Sequence, residues 1–217
     1  MEKINAIIFD LDNTLIDRQR AFKEMLERKL PLFVPEHKQH QIPKMIEDIL
    51  VWDANGTVSR LTCFQQFLKE YDIDTISAEE LDQSWANESG STAYLFDDVI
   101  ATLSELKKKY KLALLSNGNP KSQRRKLATI NIDDFFEYTL ISGEFSVNKP
   151  DPLIFNHVAK QLSLDSCQCV YVGDNYQVDI VGAKNAGMQA IYINRFNQPH
   201  SDTLSINAIS ELLDYLN

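Results

Sequence analysis

The chain has 217 residues, of which 44% are hydrophobic and 24% charged, a composition that excludes intrinsic disorder and allows one or two folded domains. Its 22 Lys and Arg against 31 Asp and Glu give a formal charge of -9, which excludes general affinity for nucleic acids and anionic membranes. Three cysteines, no signal-peptide pattern and no apolar run near the roughly 20 residues of a transmembrane helix favour a cytoplasmic protein.

The first predicted element is a strand at residues 6–9. Its four residues are all apolar, which is typical of a strand buried on both faces, and Asp10 follows it directly. Three later runs repeat this pattern and stop at small or polar residues: 112–115 before Ser116-Asn117-Gly118, 170–172 before Gly173-Asp174, and 190–193 before Asn194-Arg195.

The segment between the first two of these strands has a different pattern. Its apolar residues recur at helical spacing, and no buried strand lies between them: Phe22, Met25, Leu26, Leu30, Ile46, Ile49, Leu50, Phe64, Phe67 and Leu68. We interpret residues 17–93 as an inserted all-helical cap on a core formed by 1–16 and 94–217. The cap is expected to lie over the end of the first strand, exclude water and select the leaving group.

Helical patterns alternate with the remaining strands, around residues 99–106, 154–162 and 178–185. Such alternation predicts an α/β fold with a doubly wound parallel sheet covered by helices on both faces. Ligands in these sheets bind outside the carboxyl ends of the strands, where the polar residues lie.

Two of the predicted strand ends are acidic. Asp10 and Asp12 can point into one pocket, and such a pair suits nucleophilic attack together with general acid and base catalysis. A solvated turn is the alternative. Asp174 and Asp179 add oxygen donors of the kind that Mg²⁺ prefers, although either could instead cap the following helix.

Two further segments offer groups that could bind phosphate. Ser116 and Asn117 supply a hydroxyl and an amide beside a flexible glycine, but a plain turn would have the same composition. Lys149 precedes a predicted helix, where the helix dipole disfavours a cation. That position indicates a bound anion or a neighbouring carboxylate.

Together and in this order, the four segments resemble the motifs of the haloacid dehalogenase superfamily: Asp10-Leu11-Asp12-Asn13-Thr14, then Ser116, then Lys149 before Pro150, then Gly173-Asp174 through Asp179. The resemblance implies a Rossmann-like core and an aspartyl-phosphate intermediate on Asp10, with Asp12 as acid and base. It also implies Mg²⁺ held by the Asp10 carboxylate, the Asp12 carbonyl and Asp174, with Asp179 behind them. Ser116, Asn117 and Lys149 would hold the phosphoryl group.

The acid at position 12 favours a phosphatase over the dehalogenases of this family, which lack it. The expected substrates are small phosphomonoesters such as nucleotide, flavin or sugar phosphates. A sugar phosphomutase of the same fold and a catalytically silent binding or regulatory protein are the alternatives. The chain could act as a monomer or a homodimer.

Some features receive simpler interpretations. The basic runs 107–109 and 124–126 are interpreted as solvated helix faces. Trp52 and Trp85 are assigned to the core of the cap in preference to a substrate pocket.

Overall fold

The structure is a computed structural model that describes residues 3–196 and 203–216. The chain divides into two compact units. The first unit combines Met1–Asp17 with Leu95–Asn217, and the second comprises Arg18–Tyr94. Within the described residues, no helix has both the length and the apolar character needed to cross a membrane.

The described part of the first unit contains six strands that form one parallel sheet in the order β3-β2-β1-β4-β5-β6. They are β1 (Ala6–Phe9), β2 (Lys111–Ser116), β3 (Tyr138–Ile141), β4 (Cys169–Gly173), β5 (Gln189–Ile193) and β6 (Ser205–Ile206). This order is that of a doubly wound Rossmann-like sheet, so the predicted fold class is confirmed.

Two strands, β3 and β6, were not expected from the sequence. They form the two edges of the sheet. Half of β3 is only partly buried, and β6 has two residues, so neither carries the continuous apolar run that identified the others. The sequence pattern therefore detected the interior strands alone.

Nine α-helices lie in the described residues: α1 (Arg18–Phe33), α2 (Ile42–Asp53), α3 (Arg60–Glu70), α4 (Ala78–Ala86), α5 (Val99–Leu106), α6 (Pro120–Ile130), α7 (Pro152–Gln161), α8 (Gly182–Asn185) and α9 (Leu212–Tyr215). The regular helix predicted over 178–185 is wrong in part. The structure instead has π-helical geometry over Tyr176–Val181, followed by α8.

The sheet is buried on both faces because the side chains of each strand alternate. On β1, Ile7 and Phe9 pack into a cluster with residues of α5, α6 and α9. Ala6 and Ile8 point the other way and pack with residues of α7 and α8. All four residues of β1 have no exposed surface, which places this strand in the centre of the core.

The second unit is helical and has its own core. Buried residues of α1 to α4 form one cluster: Phe22, Met25, Leu26, Leu30, Met45, Ile46, Ile49, Phe64, Phe67, Leu81 and Trp85. The ring centroids of Phe64 and Trp85 lie 4.9 Å apart. Trp85 is 1% exposed, so it belongs to the core of this unit, as its sequence position indicated.

The strand order reverses between β1 and β4, because β2 follows β1 on one side and β5 follows β4 on the other. The carboxyl ends of β1 and β4 therefore form the topological switch point of the sheet, where such folds bind their ligands. Asp10 follows β1 and Asp174 follows β4.

Candidate active site

Asp10 is held at the end of β1 by the sheet itself. Its backbone N–H donates to the carbonyl of Val172 on β4 at 2.9 Å, and its side chain is 9% exposed. The chain then turns through Asn13, which adopts a left-handed φ of 58°, a conformation that Asn tolerates better than most residues. Asp10 and Asp12 both lie after the end of β1, but their side chains contact different partners, Lys149 and Lys126.

Lys149 is the centre of a buried hydrogen-bond cluster. Its Nζ lies 2.7 Å from Asp10 Oδ1, 2.7 Å from Asp179 Oδ1 and 2.7 Å from the hydroxyl of Tyr171. The Tyr171 hydroxyl in turn donates to the carbonyl of Leu115 at 2.8 Å. An ammonium has three N–H groups, so each of them has a buried oxygen partner. The neighbouring carboxylates account for a lysine just before a helix.

Three carboxylates converge at this point. One oxygen from each of Asp10, Asp174 and Asp179 lies within 4.8 Å of the other two. Lys149 contacts two of these carboxylates, which leaves an excess of negative charge in a buried place. A set of carboxylate oxygens suits a hard divalent cation such as Mg²⁺, so the donor set fits the predicted metal.

Burial and crowding alter the ionisation of the cluster. Burial is the largest cause that raises the pKa of Asp10, to about 7, and Asp179 adds to the rise while Lys149 opposes it. The pKa of Asp174 lies well above its ordinary value, again chiefly through burial and then through Asp10. Burial alone would lower the pKa of Lys149, but the charges of Asp10 and Asp179 outweigh it and raise that pKa.

Gly173 allows Asp179 to approach the end of β4. A Cβ at position 173 would lie 2.4 Å from Asp179 Oδ2, closer than real contacts allow. The same Oδ2 accepts a hydrogen bond from the backbone N–H of Asn175 at 3.0 Å, while Oδ1 accepts from Lys149. The absence of a side chain at 173 thus makes room for the carboxylate that holds Lys149.

The loop after β2 is tied to Lys149. The side-chain amide of Asn117 donates to the Lys149 carbonyl at 3.0 Å and accepts from the Lys149 N–H at 3.0 Å. The hydroxyl of Ser116, 1% exposed, accepts from Gln123 Nε2 at 2.7 Å. Asn117 therefore joins two loops of the site, and its expected contact with substrate stays a prediction.

Asp12 points towards α6. Lys126 Nζ lies 2.7 Å from Asp12 Oδ1 and 2.8 Å from Oδ2, and Gln123 Nε2 lies 2.8 Å from Oδ2. The interpretation of Lys126 as part of a solvated helix face is wrong, because its side chain is 15% exposed and pairs with Asp12. The spacing of Gln123 and Lys126, three residues apart on one helix, was the sequence signal that could have indicated their shared contact with Asp12.

The structure thus brings Asp10, Lys149, Asp174 and Asp179 into one cluster and places Ser116 and Asp12 together around Gln123. Sequence reasoning missed three residues of this arrangement, Tyr171, Gln123 and Lys126. The assigned roles of Asp10, Asp12, Ser116 and Asp174 stay predictions.

The sequence pattern of the haloacid dehalogenase-like hydrolase family matches residues 4–187. The chain is 30% identical over 239 residues to N-acylneuraminate-9-phosphatase of Mus musculus, covering 99% of this chain and 96% of the mouse protein. It is 31% identical over 202 residues to glyceraldehyde 3-phosphate phosphatase of Pyrococcus abyssi, covering 87% of this chain and 81% of that protein.

Solved structures give the same picture of the fold. The HAD-hydrolase YfnB from Bacillus subtilis, crystallised with magnesium, superposes with a TM-score of 0.80 over 100% of both chains at 22% identity. A HAD phosphatase from Thermococcus onnurineus has a TM-score of 0.64 at 26% identity, covering 99% of this chain and 98% of that one.

Proposed function

Because the chain belongs to the haloacid dehalogenase-like hydrolase family and is a phosphoric monoester hydrolase, we propose that it uses Mg²⁺ and forms a phosphorylated Asp10 intermediate. The observation that carries this proposal is the position of Asp10. Its carboxylate lies at the switch point of the sheet, 2.7 Å from the Lys149 ammonium, with Asp174 and Asp179 beside it.

In the first step, an oxygen of the Asp10 carboxylate attacks phosphorus. A new bond forms between that oxygen and phosphorus, and the ester bond from phosphorus to the leaving oxygen breaks. Asp12 gives its proton to the leaving oxygen, which departs as an alcohol. Lys149 holds Asp10 in place for the attack, and Ser116 and the nearby backbone are positioned to bind the equatorial oxygens of the phosphoryl group.

In the second step, water attacks the phosphorus of phosphorylated Asp10. Asp12, now a carboxylate, accepts a proton from this water, and the bond from phosphorus to Asp10 breaks. Inorganic phosphate leaves, Asp10 is again a carboxylate and Asp12 is again protonated. The sum of the two steps is the hydrolysis of one ester by one water molecule.

The residues that would hold Mg²⁺ are Asp10 and Asp174 through their side chains and Asp12 through its carbonyl. Asp179 holds Lys149 and would support the site from behind. The ion would supply positive charge to the phosphoryl oxygens and offset the excess of carboxylates. Family phosphatases generally use this metal.

We propose phosphorylated sugars and related short-chain phosphates as the first substrate class to test. The named relatives act on N-acylneuraminate 9-phosphate and glyceraldehyde 3-phosphate. Nucleotide and flavin phosphates belong in the same screen. A phosphomutase would require a bisphosphate activator and would yield an isomer in place of inorganic phosphate.

The test is phosphate release from a panel of phosphorylated metabolites, with Mg²⁺ and with EDTA. We expect turnover by the wild type with metal only, and none by Asp10→Asn. The matched control is Asp134→Asn, which changes an exposed aspartate away from the site and should keep full activity. Acid quenching during turnover should trap protein heavier by one phosphoryl group, and only when Asp10 is present.

Three results would contradict the proposal. They are activity that persists in EDTA, activity retained by Asp10→Asn, and a wild type that hydrolyses no compound in the panel. Magnesium should also raise the melting temperature of the wild type by mass action, while Asp174→Asn should lose most of this shift.

A further inference from the structure

We propose that Gln123 and Lys126 are positioning residues that orient the Asp12 carboxyl group for proton exchange with the leaving oxygen. This inference rests on the proposed function and adds to it a pair of side chains from α6. Neither residue belongs to the four segments that identified the family.

The geometry around Asp12 carries the inference. Lys126 Nζ contacts both oxygens of the carboxylate, at 2.7 and 2.8 Å, and Gln123 Nε2 contacts Oδ2 at 2.8 Å. With donors on both oxygens, the side chain of Asp12 is fixed in direction as well as in rotation. A proton donor must be placed within hydrogen-bond reach of its acceptor, so this constraint matters for catalysis.

Gln123 also links Asp12 to the phosphoryl-binding segment. The same Nε2 donates to Ser116 Oγ at 2.7 Å and lies 3.3 Å from the carbonyl of Asn117. Gln123 as a whole is 3% exposed, and burial of an amide is costly unless it is hydrogen-bonded. The Gln123 amide therefore fixes the distance between Asp12, the proposed acid, and Ser116, the proposed phosphate-binding residue.

Helix α6 is built to present these two residues together. Asn119 caps its first turn by accepting from the N–H of Ser122 at 3.3 Å, and Pro120 is the first helical residue. Gln123 and Lys126 are three residues apart and share a face of the helix. Arg124, on another face, pairs with Glu144 at 2.8 Å and is about half exposed.

The chemistry of the leaving group separates positioning from simple structural support. An alkyl leaving oxygen needs a proton as its bond to phosphorus breaks, whereas p-nitrophenolate is stable without one. A displaced Asp12 should thus slow the cleavage of alkyl phosphates far more than that of p-nitrophenyl phosphate. General loss of structure would slow both equally.

The experiment compares kcat/KM for p-nitrophenyl phosphate and for the best alkyl phosphate of the metabolite panel. The quantity kcat/KM reports the steps up to loss of the first product, in which Asp12 acts as the acid. The variants are Lys126→Met, Gln123→Met and Asp12→Asn, and Arg124→Met is the control on the same helix. Melting temperatures are measured for all of them.

We expect Lys126→Met and Gln123→Met to lose about 10-fold or more in kcat/KM on the alkyl phosphate and clearly less on p-nitrophenyl phosphate. Asp12→Asn should show the same selectivity, more strongly. In the Asp12→Asn background, the two α6 substitutions should cause no further selective loss, because the group that they orient is already gone. Arg124→Met should behave as the wild type.

Equal losses on both substrates would overturn the inference, because they indicate structural support only. Selective loss in Asp12→Asn without selective loss in the α6 variants would overturn the inference and leave the proposed function intact. A wild type that hydrolyses neither substrate would overturn the proposed function and this inference with it.

Discussion

At the scale of single residues, the site depends on how one ammonium is shared. Lys149 divides its three N–H groups among Asp10, Asp179 and Tyr171. The two carboxylates supply charge, whereas the Tyr171 hydroxyl supplies a neutral acceptor and donates its own hydrogen bond to the Leu115 carbonyl. Tyr171 therefore connects the ammonium to the backbone of β2 without further charge.

Tyr171→Phe tests this connection. The substitution leaves a buried carbonyl at Leu115 without its donor and one N–H of Lys149 without its acceptor, so we expect a loss of about 1–3 kcal/mol in the free energy of unfolding. We also expect kcat/KM to fall, because Lys149 keeps only two of the three contacts that fix its direction. Urea denaturation and steady-state kinetics measure the two effects.

Tyr110→Phe is the matched control. The Tyr110 hydroxyl also donates to a backbone carbonyl, that of Leu216, but Tyr110 precedes the amino end of β2, whereas the site residues follow the carboxyl ends of the strands. Tyr110→Phe should lower the free energy of unfolding and leave kcat/KM unchanged. A Tyr171→Phe enzyme with wild-type kinetics would show that the hydroxyl serves stability alone.

The site residues that follow a buried strand were predictable, because an apolar run followed by Asp10 or Asp174 can be recognised in the sequence alone. Tyr171 was hidden inside such a run, where its ring has the same apolar character as its neighbours. Lys126 was hidden in a basic segment, since its direction depends on the phase of α6 against Asp12. Side-chain direction on a packed helix follows from tertiary contacts that the sequence pattern does not contain.

At the scale of elements, α6 combines a capped start with a face that contacts the site. Asn119→Ala removes the cap and should cost about 1 kcal/mol of stability. Because the first turns of α6 carry Gln123, we expect the same variant to lower kcat/KM for alkyl phosphates.

Ser77→Ala provides the comparison for this prediction. Ser77 caps α4 in the second unit, where its hydroxyl accepts from Glu80 N–H at 3.2 Å within a capping box. Ser77→Ala should lower the free energy of unfolding by a similar amount without lowering kcat/KM. Chemical denaturation and kinetics of both variants test the difference, and equal kinetics would contradict a special role for α6.

Element types followed from hydrophobic periodicity, and the interior strands and most helices were predicted in this way. The π-helical turn at Tyr176–Val181 was not. The Asp179 carboxylate within it accepts a local hydrogen bond from the N–H of Asn175 and a long-range one from Lys149, and the periodicity of apolar residues contains neither contact.

At the scale of the whole molecule, the two units have separate cores and differ in their content of tryptophan, the main intrinsic fluorophore. The chain has two tryptophans, Trp52 and Trp85, and both lie in Arg18–Tyr94. Tryptophan fluorescence should therefore report the unfolding of the second unit, while far-UV circular dichroism reports both.

Leu26→Ala, in the core of the second unit, should cost about 2–5 kcal/mol and lower the urea midpoint seen by fluorescence. Val158→Ala, in the core of the first unit, should lower the midpoint seen by circular dichroism and leave that of fluorescence in place. Transitions that shift together in both variants would contradict separate unfolding.

The change from alternating strands and helices to helical spacing alone predicted an inserted helical segment, and the role of this segment as a cap stays a prediction. The parallel sheet follows from the same alternation, whereas its Rossmann-like order was what the family resemblance implied, and the structure confirms both. Strand order itself required the family resemblance, since periodicity does not say which strands are neighbours.

The central position of β1 also governs the order in which the protein can be assembled during synthesis. β1 leaves the ribosome before the other described strands, yet it pairs at Ala6 with Lys111 on β2 and with Cys169 on β4. Helices α1 to α4 emerge in between, and at about 5–20 residues per second roughly 5 to 30 seconds pass before each partner of β1 is synthesised. The apolar strand β1 thus lacks its sheet partners during this interval, whereas all residues of the helical unit have already been synthesised. Asp10 is translated before every other residue of the cluster, and under the proposed mechanism a chain that ends before Asp179 should not hydrolyse phosphate esters.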